Sequence, residues 1–156
     1  MNNTIYNSII IFGGTYLIWL LVLIFATYII REYEDKSFLI RTFATLVFSF
    51  LTGLLLSRIF NNPRPFVVGY FNPIIAHSVS NGFPSDHMLL ASTLAAIIFT
   101  KNQKLGLVMF AGAFLVGISR VLAGVHHIED ILGAFAISIV STYLFLNFSK
   151  KLAYVR

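Results

Sequence analysis

Between Ile9 and Ile30 the chain carries no charged side chain. A stretch of that length crosses the roughly 30 Å hydrocarbon core of a bilayer, which takes about 20 residues as a helix. Inside lipid there is no water to satisfy the backbone, so a crossing segment must pair its own N–H and C=O groups, and a helix does so. Further apolar stretches run from Phe38 to Phe60, His87 to Thr100, Leu105 to Ala123 and Ile128 to Phe148, the one beginning at His87 being short for a full crossing. A 58% hydrophobic, 11% charged composition with mean hydropathy +0.85 agrees, being far more apolar than a soluble domain. The expectation is an all-α, polytopic membrane helix bundle of about five transmembrane helices, with residues 1–156 forming a single membrane-embedded domain. The first stretch is too long for a signal-peptide core, lacks a basic start and shows no clear small-residue cleavage site, so it is read as retained.

The chain has no cysteine, which excludes disulfides, thiol catalysis and cysteine-based zinc or iron-sulfur centres. Its net charge of +5 is spread over short loops instead of forming a stripe with stacking aromatics, which argues against nucleic acid and for phospholipid surfaces. With five crossings, Arg31, Lys36, Arg41, Lys101, Lys104, Lys150, Lys151 and Arg156 fall on one side, and Arg58, Arg64 and Arg120 on the other. Under the positive-inside rule this expects the amino terminus outside and the carboxyl terminus in the cytoplasm of a multi-pass plasma-membrane protein. The three exceptions all belong to segments that carry candidate chemistry.

Three polar clusters converge on that outer side. In Ser119-Arg120-Val121-Leu122-Ala123-Gly124-Val125-His126-His127-Ile128-Glu129-Asp130, a helix beginning near His126 would place Asp130 four residues on, on the same face. A carboxylate there fixes the tautomer and orientation of the imidazole and stabilises it when it becomes cationic. Arg120 offers a guanidinium that matches phosphate oxygens and keeps its charge in a poorly hydrated place. In Asn61 to Pro84, a long loop for so compact a chain, Pro63 and Pro65 bracket Arg64 and hold it on stiff, extended backbone. In Gly82-Phe83-Pro84-Ser85-Asp86-His87, Ser85 or Asp86 caps the next helix, whose first amides favour an anion, and His87 is positioned to protonate a leaving oxygen. Taken singly, each cluster is also what a membrane surface or a helix cap carries. Together they are the parts of a phosphoryl-transfer site: His126 attacks phosphorus with Asp130 orienting it, His87 protonates the leaving group, Arg64, Arg120 and Ser85 hold oxygens, and water then hydrolyses the phosphohistidine.

These residues resemble the type 2 phosphatidic acid phosphatase superfamily of membrane lipid phosphatases, with the pattern Lys-x6-Arg-Pro, Pro-Ser-Gly-His and Ser-Arg-x5-His-x3-Asp. Ser119, Arg120, His126 and Asp130 match the third motif, Pro84, Ser85 and His87 the second, and Arg64 and Pro65 the first. The resemblance implies His126 as nucleophile, His87 as acid and base, Arg64, Ser85 and Arg120 as phosphate ligands, and no cofactor or metal. Two positions depart. Ser57 stands where the first motif has lysine, with Arg58 one step out of register as the substitute phosphate ligand, and Asp86 replaces the glycine of the second. Pro-Ser-Asp-His resembles the bacterial undecaprenyl-diphosphate phosphatases, which makes undecaprenyl diphosphate at the outer face the expected substrate. Phosphatidylglycerol phosphate or phosphatidic acid would need the same chemistry with a different lipid groove. A small lipid-binding or transport protein would also gather charges within a bundle but would need no nucleophile. His77 and His127 lie outside the motifs and read as loop residues, and Glu129 as a solvated or arginine-paired group.

Overall fold

The computed structural model describes residues 2–147, so the expected end of the last crossing at Phe148 and the cations Lys150, Lys151 and Arg156 lie outside the described residues. All regular structure there is helical: α1 (Asn2–Ile11), a π-helical turn (Phe12–Tyr16), α2 (Leu17–Arg31), α3 (Lys36–Ile59), α4 (Pro65–Val68), α5 (Asp86–Phe99), α6 (Gln103–Leu122), and α7 (Ile128–Thr142) running into a second π-helical turn (Tyr143–Asn147). A lone bridge between Pro63 and Asn81 is the one β-type pairing among the described residues. Thr4–Arg31, Lys36–Ile59, Gln103–Leu122 and Ile128–Leu146 are long and apolar enough to cross a membrane, whereas α5 is shorter.

At about 1.5 Å per residue the 14 residues of α5 reach about 21 Å, less than a roughly 30 Å hydrocarbon core. The other helices shield it. α5 packs on α2, α3, α6 and α7, and Met88, Ala91, Ser92, Ala95, Ile97 and Ile98 are fully buried. Small residues on facing helices, including Ala113 and Ala134, let backbones come close, which in lipid replaces the missing hydrophobic drive between helices. Ser49 of α3 and Thr93 of α5 add a buried hydroxyl pair at 2.9 Å. The large exposed apolar side chains, among them Trp19, Leu23, Ile40, Phe43, Val108 and Val140, are the surface a bilayer covers.

One end of the bundle is closed by polar turns. Asp35 caps α3 by accepting from Phe38 N at 2.9 Å, and Asn102 caps α6 by accepting from Leu105 N at 3.0 Å. Lys101 Nζ donates to Asp35 Oδ2 at 2.7 Å and joins the two turns. The loop from Asn61 to Pro84 and the α6–α7 turn therefore lie together at the other end.

α5 and α6 come close at Gly106, where an added Cβ would lie 2.5 Å from Phe99 Cα. Backbone cannot yield as a side-chain tip can, so Gly106→Ala is expected to cost about 1–3 kcal/mol through overpacking. It should lower the melting temperature in detergent more than Gly112→Ala, whose Cβ would meet only the Leu21 Cδ2 tip at 2.8 Å. Equal melting temperatures for the two variants would contradict this packing.

Candidate active site

α6 ends in a reversal that sets two site residues side by side. Gly124 adopts φ +77°, its N–H donates to Val121 O at 2.9 Å, and Val125 N donates to Arg120 O at 3.2 Å. This is the two-bond arrangement that ends many helices, with glycine in the left-handed position that a side chain would strain. Phe71 packs against Gly124, so a Cβ would also meet its ring. The chain then extends through His127 (φ −82°, ψ 163°) and α7 starts at Ile128. The helix thus begins two residues later than the sequence spacing suggests, because Asp130 reaches back to accept from His127 N at 2.9 Å. The pairing survives the change, with His126 Nδ1 3.2 Å from Asp130 Oδ2.

Arg64 enters from the long loop. Its backbone is extended (φ −63°, ψ 150°), as a residue before proline prefers, and Pro65 opens α4 at the position where a missing N–H costs nothing. Its guanidinium donates to the carbonyls of Ser80 (3.1 Å), Val125 (2.9 Å) and Asn81 (3.1 Å), and Nη1 lies 3.2 Å from His126 Nε2. Guanidinium can only donate, so Nε2 must present its lone pair, and the imidazole proton then sits on Nδ1 facing Asp130.

α5 supplies the third side. Ser85 N donates to Asp130 O at 3.2 Å, while Ser85 Oγ is buried without a hydrogen-bond partner. Arg120 Nη1 donates to Gly14 O in the π-helical turn at 3.3 Å, but its Nε and Nη2 are likewise buried and unpartnered. Native proteins rarely leave such donors unmet, and an anion is a partner that satisfies serine and arginine together. His87, in the first turn of α5, is half-buried, with Arg120, His126, His77 and Arg64 as electrostatic neighbours.

The surroundings decide the state of His126, which is 2% exposed. Burial lowers its pKa below the ordinary histidine value, the hydrogen bond to Asp130 opposes this, and the charges of Arg64 and Arg120 lower it further. The net effect is a neutral ring with an available Nε2 near neutral pH.

The structure brings His126, Asp130, Arg64, Arg120, Ser85 and His87 into one cluster. Arg58 is not part of it. Arg58 is exposed, whereas Ser57 lines a cavity of about 350 Å³ with Arg64, His77, Asn81, Pro84 and Asp86. His77, read from sequence as a loop residue, stands edge to face with His126 at 6.2 Å between ring centres. Sequence reasoning also passed over two asparagines. Asn62 Nδ2 donates to Asp130 Oδ1 at 2.8 Å. Asn81 accepts from Asn62 N and Phe83 N, and donates to Ser57 O and Phe60 O, stapling the end of α3 to the loop. The turn-forming pairs Asn62-Pro63 and Asn81-Gly82 were the available signal. His127 bonds Pro63 O at 3.1 Å through Nε2, and Glu129 is exposed on the first turn of α7. Among the described residues no three histidine or acidic side chains gather as a metal-holding group.

Residues 38–154 match the model of the PAP2 superfamily, three quarters of the chain, and the protein belongs to that family. It is therefore a multi-pass membrane lipid phosphatase, a hydrolase of phosphoester or diphosphate bonds. Undecaprenyl-diphosphatase BcrC of Bacillus subtilis (strain 168) is 28% identical over 152 residues, covering 97% of this chain and 79% of that protein. The crystal structure of Aquifex aeolicus LpxE shares the fold with a TM-score of 0.68 at 23% identity, over 92% of this chain and 84% of that one. A transmembrane PAP2 type phosphatidylglycerolphosphate phosphatase from Bacillus subtilis superimposes with a TM-score of 0.63 at 26% identity, covering 96% and 77%.

In an NMR titration of the histidine rings in detergent, His126 is expected to titrate below about 6.5. Asp130→Asn removes the partner that raises the value, so the titration should move lower still. A titration at or above the ordinary value would contradict the burial and the pairing.

Proposed function

We propose that this single membrane-embedded domain hydrolyses undecaprenyl diphosphate to undecaprenyl phosphate and inorganic phosphate through a phosphohistidine at His126, without a metal. The observation that carries the reading is the arrangement around the His126 ring: Nδ1 faces Asp130 at 3.2 Å and Nε2 faces a donor-only arginine at 3.2 Å, which leaves the lone pair on Nε2. Nε2 attacks the terminal phosphorus as Arg64, Arg120 and Ser85 take its oxygens. The bond to the bridging oxygen breaks, and His87 delivers its proton to that oxygen. Water, deprotonated by His87, then attacks the phosphohistidine, which frees His126 and inorganic phosphate. Asp130 holds the ring throughout and stabilises the cationic intermediate, and the arginines offset charge on the equatorial oxygens.

Several features support a lipid of this kind. The cavity containing Arg64 shares Phe50, Asp86 and Leu89 with an apolar pocket between α3 and α5, also lined by Leu46 and Leu90, which suits a hydrocarbon tail leaving the phosphates at the polar end. Undecaprenyl-diphosphatase BcrC is similar over almost the whole chain. The alternative, a phosphatidylglycerol phosphate phosphatase, draws on the similarity to the Bacillus subtilis crystal structure. Phosphate release with chelator present should be faster from undecaprenyl diphosphate than from phosphatidylglycerol phosphate, and His126→Ala should abolish both. Faster release from phosphatidylglycerol phosphate would favour the alternative, and release that persists without His126 would overturn the nucleophile.

The site is proposed to face outward, with the amino terminus outside and the carboxyl terminus in the cytoplasm of the plasma membrane, because among the described residues Arg31, Lys36, Arg41, Lys101 and Lys104 lie towards the opposite ends of the helices, against Arg58, Arg64 and Arg120 at the site end. The chain has no cysteine, so single cysteines report sidedness directly. Val79→Cys, at a position 77% exposed in the site loop, should react with an impermeant maleimide on intact cells, and Lys104→Cys only after permeabilisation. The reverse pattern would invert the orientation.

A further inference from the structure

The cations around the site are few for the load they meet. Arg64 and Arg120 are the arginines at the cluster, and the carboxylates of Asp130 and Asp86 act on Arg64 while that of Asp86 acts on Arg120. A bound phosphate group adds about −1.5 to −2 near neutral pH. Ser57, at the position where the family pattern has lysine, has its hydroxyl turned to Leu54 O at 2.8 Å. Arg58, the next cation along α3, is exposed.

His77 lies where a further donor is needed. It stands edge to face with His126, half-buried, and lines the same cavity as Ser57, Arg64, Asn81 and Asp86. Its Nδ1 donates to Ser78 O at 3.3 Å, and among the described residues Nε2 makes no hydrogen bond that a ligand would have to displace. We propose that His77 is a further phosphate ligand beside Arg64, Arg120 and Ser85, contacting an oxygen of the phosphate group held over His126 Nε2 and supplying the donor that Ser57 does not. This rests on the phosphatase reading above. Burial lowers the pKa of His77, and Arg64 and Arg120 add to the effect. A phosphate dianion reverses the sign of the local field and holds a proton on Nε2, where it donates to oxygen.

Orthovanadate, which mimics the five-coordinate phosphorus of the transition state, is the probe. It is read as inhibition of phosphate release and as stabilisation against heating in detergent. His77→Ala should weaken orthovanadate binding about tenfold or more and lower kcat/KM by a similar factor, the worth of one hydrogen bond to a charged group. Adding Ser57→Lys to His77→Ala, which puts a cation on the same cavity wall, should restore most of both. His77→Gln, which keeps a polar group of similar length, should fall between the wild type and His77→Ala and decides the matter if the alanine variant does not melt cooperatively. Orthovanadate binding unchanged within about twofold in both single variants overturns the proposal, and so does a loss that Ser57→Lys does not restore. The heating arm needs no turnover: a protein that released phosphate from no lipid, yet lost orthovanadate stabilisation with His77, would count against the phosphatase reading and not against this ligand.

Discussion

The carboxylate of Asp130 holds the functional end of the molecule together. It is fully buried, and it accepts from the His126 ring, the His127 backbone and the Asn62 side chain. Those three partners belong to the α6–α7 turn, the start of α7 and the long loop after α3. A buried carboxylate without partners would be strongly destabilising, so it demands that all three segments come to it. That demand starts α7 two residues beyond the histidine. It also fixes the imidazole proton on the nitrogen that faces the acid.

The opposite face of the ring is held by Arg64, and the guanidinium in turn is spread over three backbone carbonyls. This arginine serves as loop scaffold and as neighbour of the reactive nitrogen at once. Arg120 is placed differently. The bend at Gly124 delivers it beside His126 with two donor atoms unpartnered, and Ser85 at the tip of the short inner helix contributes a third unpartnered group. Buried donors left unmet cost free energy in the folded chain, and they are the form in which a protein keeps an anion site organised before the anion arrives. The shortness of α5 belongs to the same design, because its first turn must end among these groups and not at a membrane surface.

Much of this was legible in the sequence because it is local. The apolar stretches follow from length and hydropathy alone, Pro63 and Pro65 dictate the backbone of Arg64, and Ser-Arg-x5-His-x3-Asp spans a single turn between helices. Beyond the turn-forming pairs at Asn62 and Asn81, the site roles of Asn62, Asn81 and His77 were not legible, since the loop 61–84 must fold before Asn62 meets Asp130, His77 meets His126 and Asn81 meets the end of α3. Asn62 and Asp130 are 68 residues apart. Arg58, one step out of register, could reach the phosphate only if α3 unwound near its end. α3 instead remains helical to Ile59, and one step along a helix turns a side chain by about 100°, enough to face Arg58 away while Ser57 lines the cavity.

The central claim is that His126 becomes covalently phosphorylated. Rapid acid-free quenching of the protein with undecaprenyl diphosphate labelled in its terminal phosphate, followed by peptide mapping, tests it most directly. The label should be stable to alkali, labile to acid and confined to the peptide carrying His126. Turnover without protein-bound label, or label on a different residue, would contradict it.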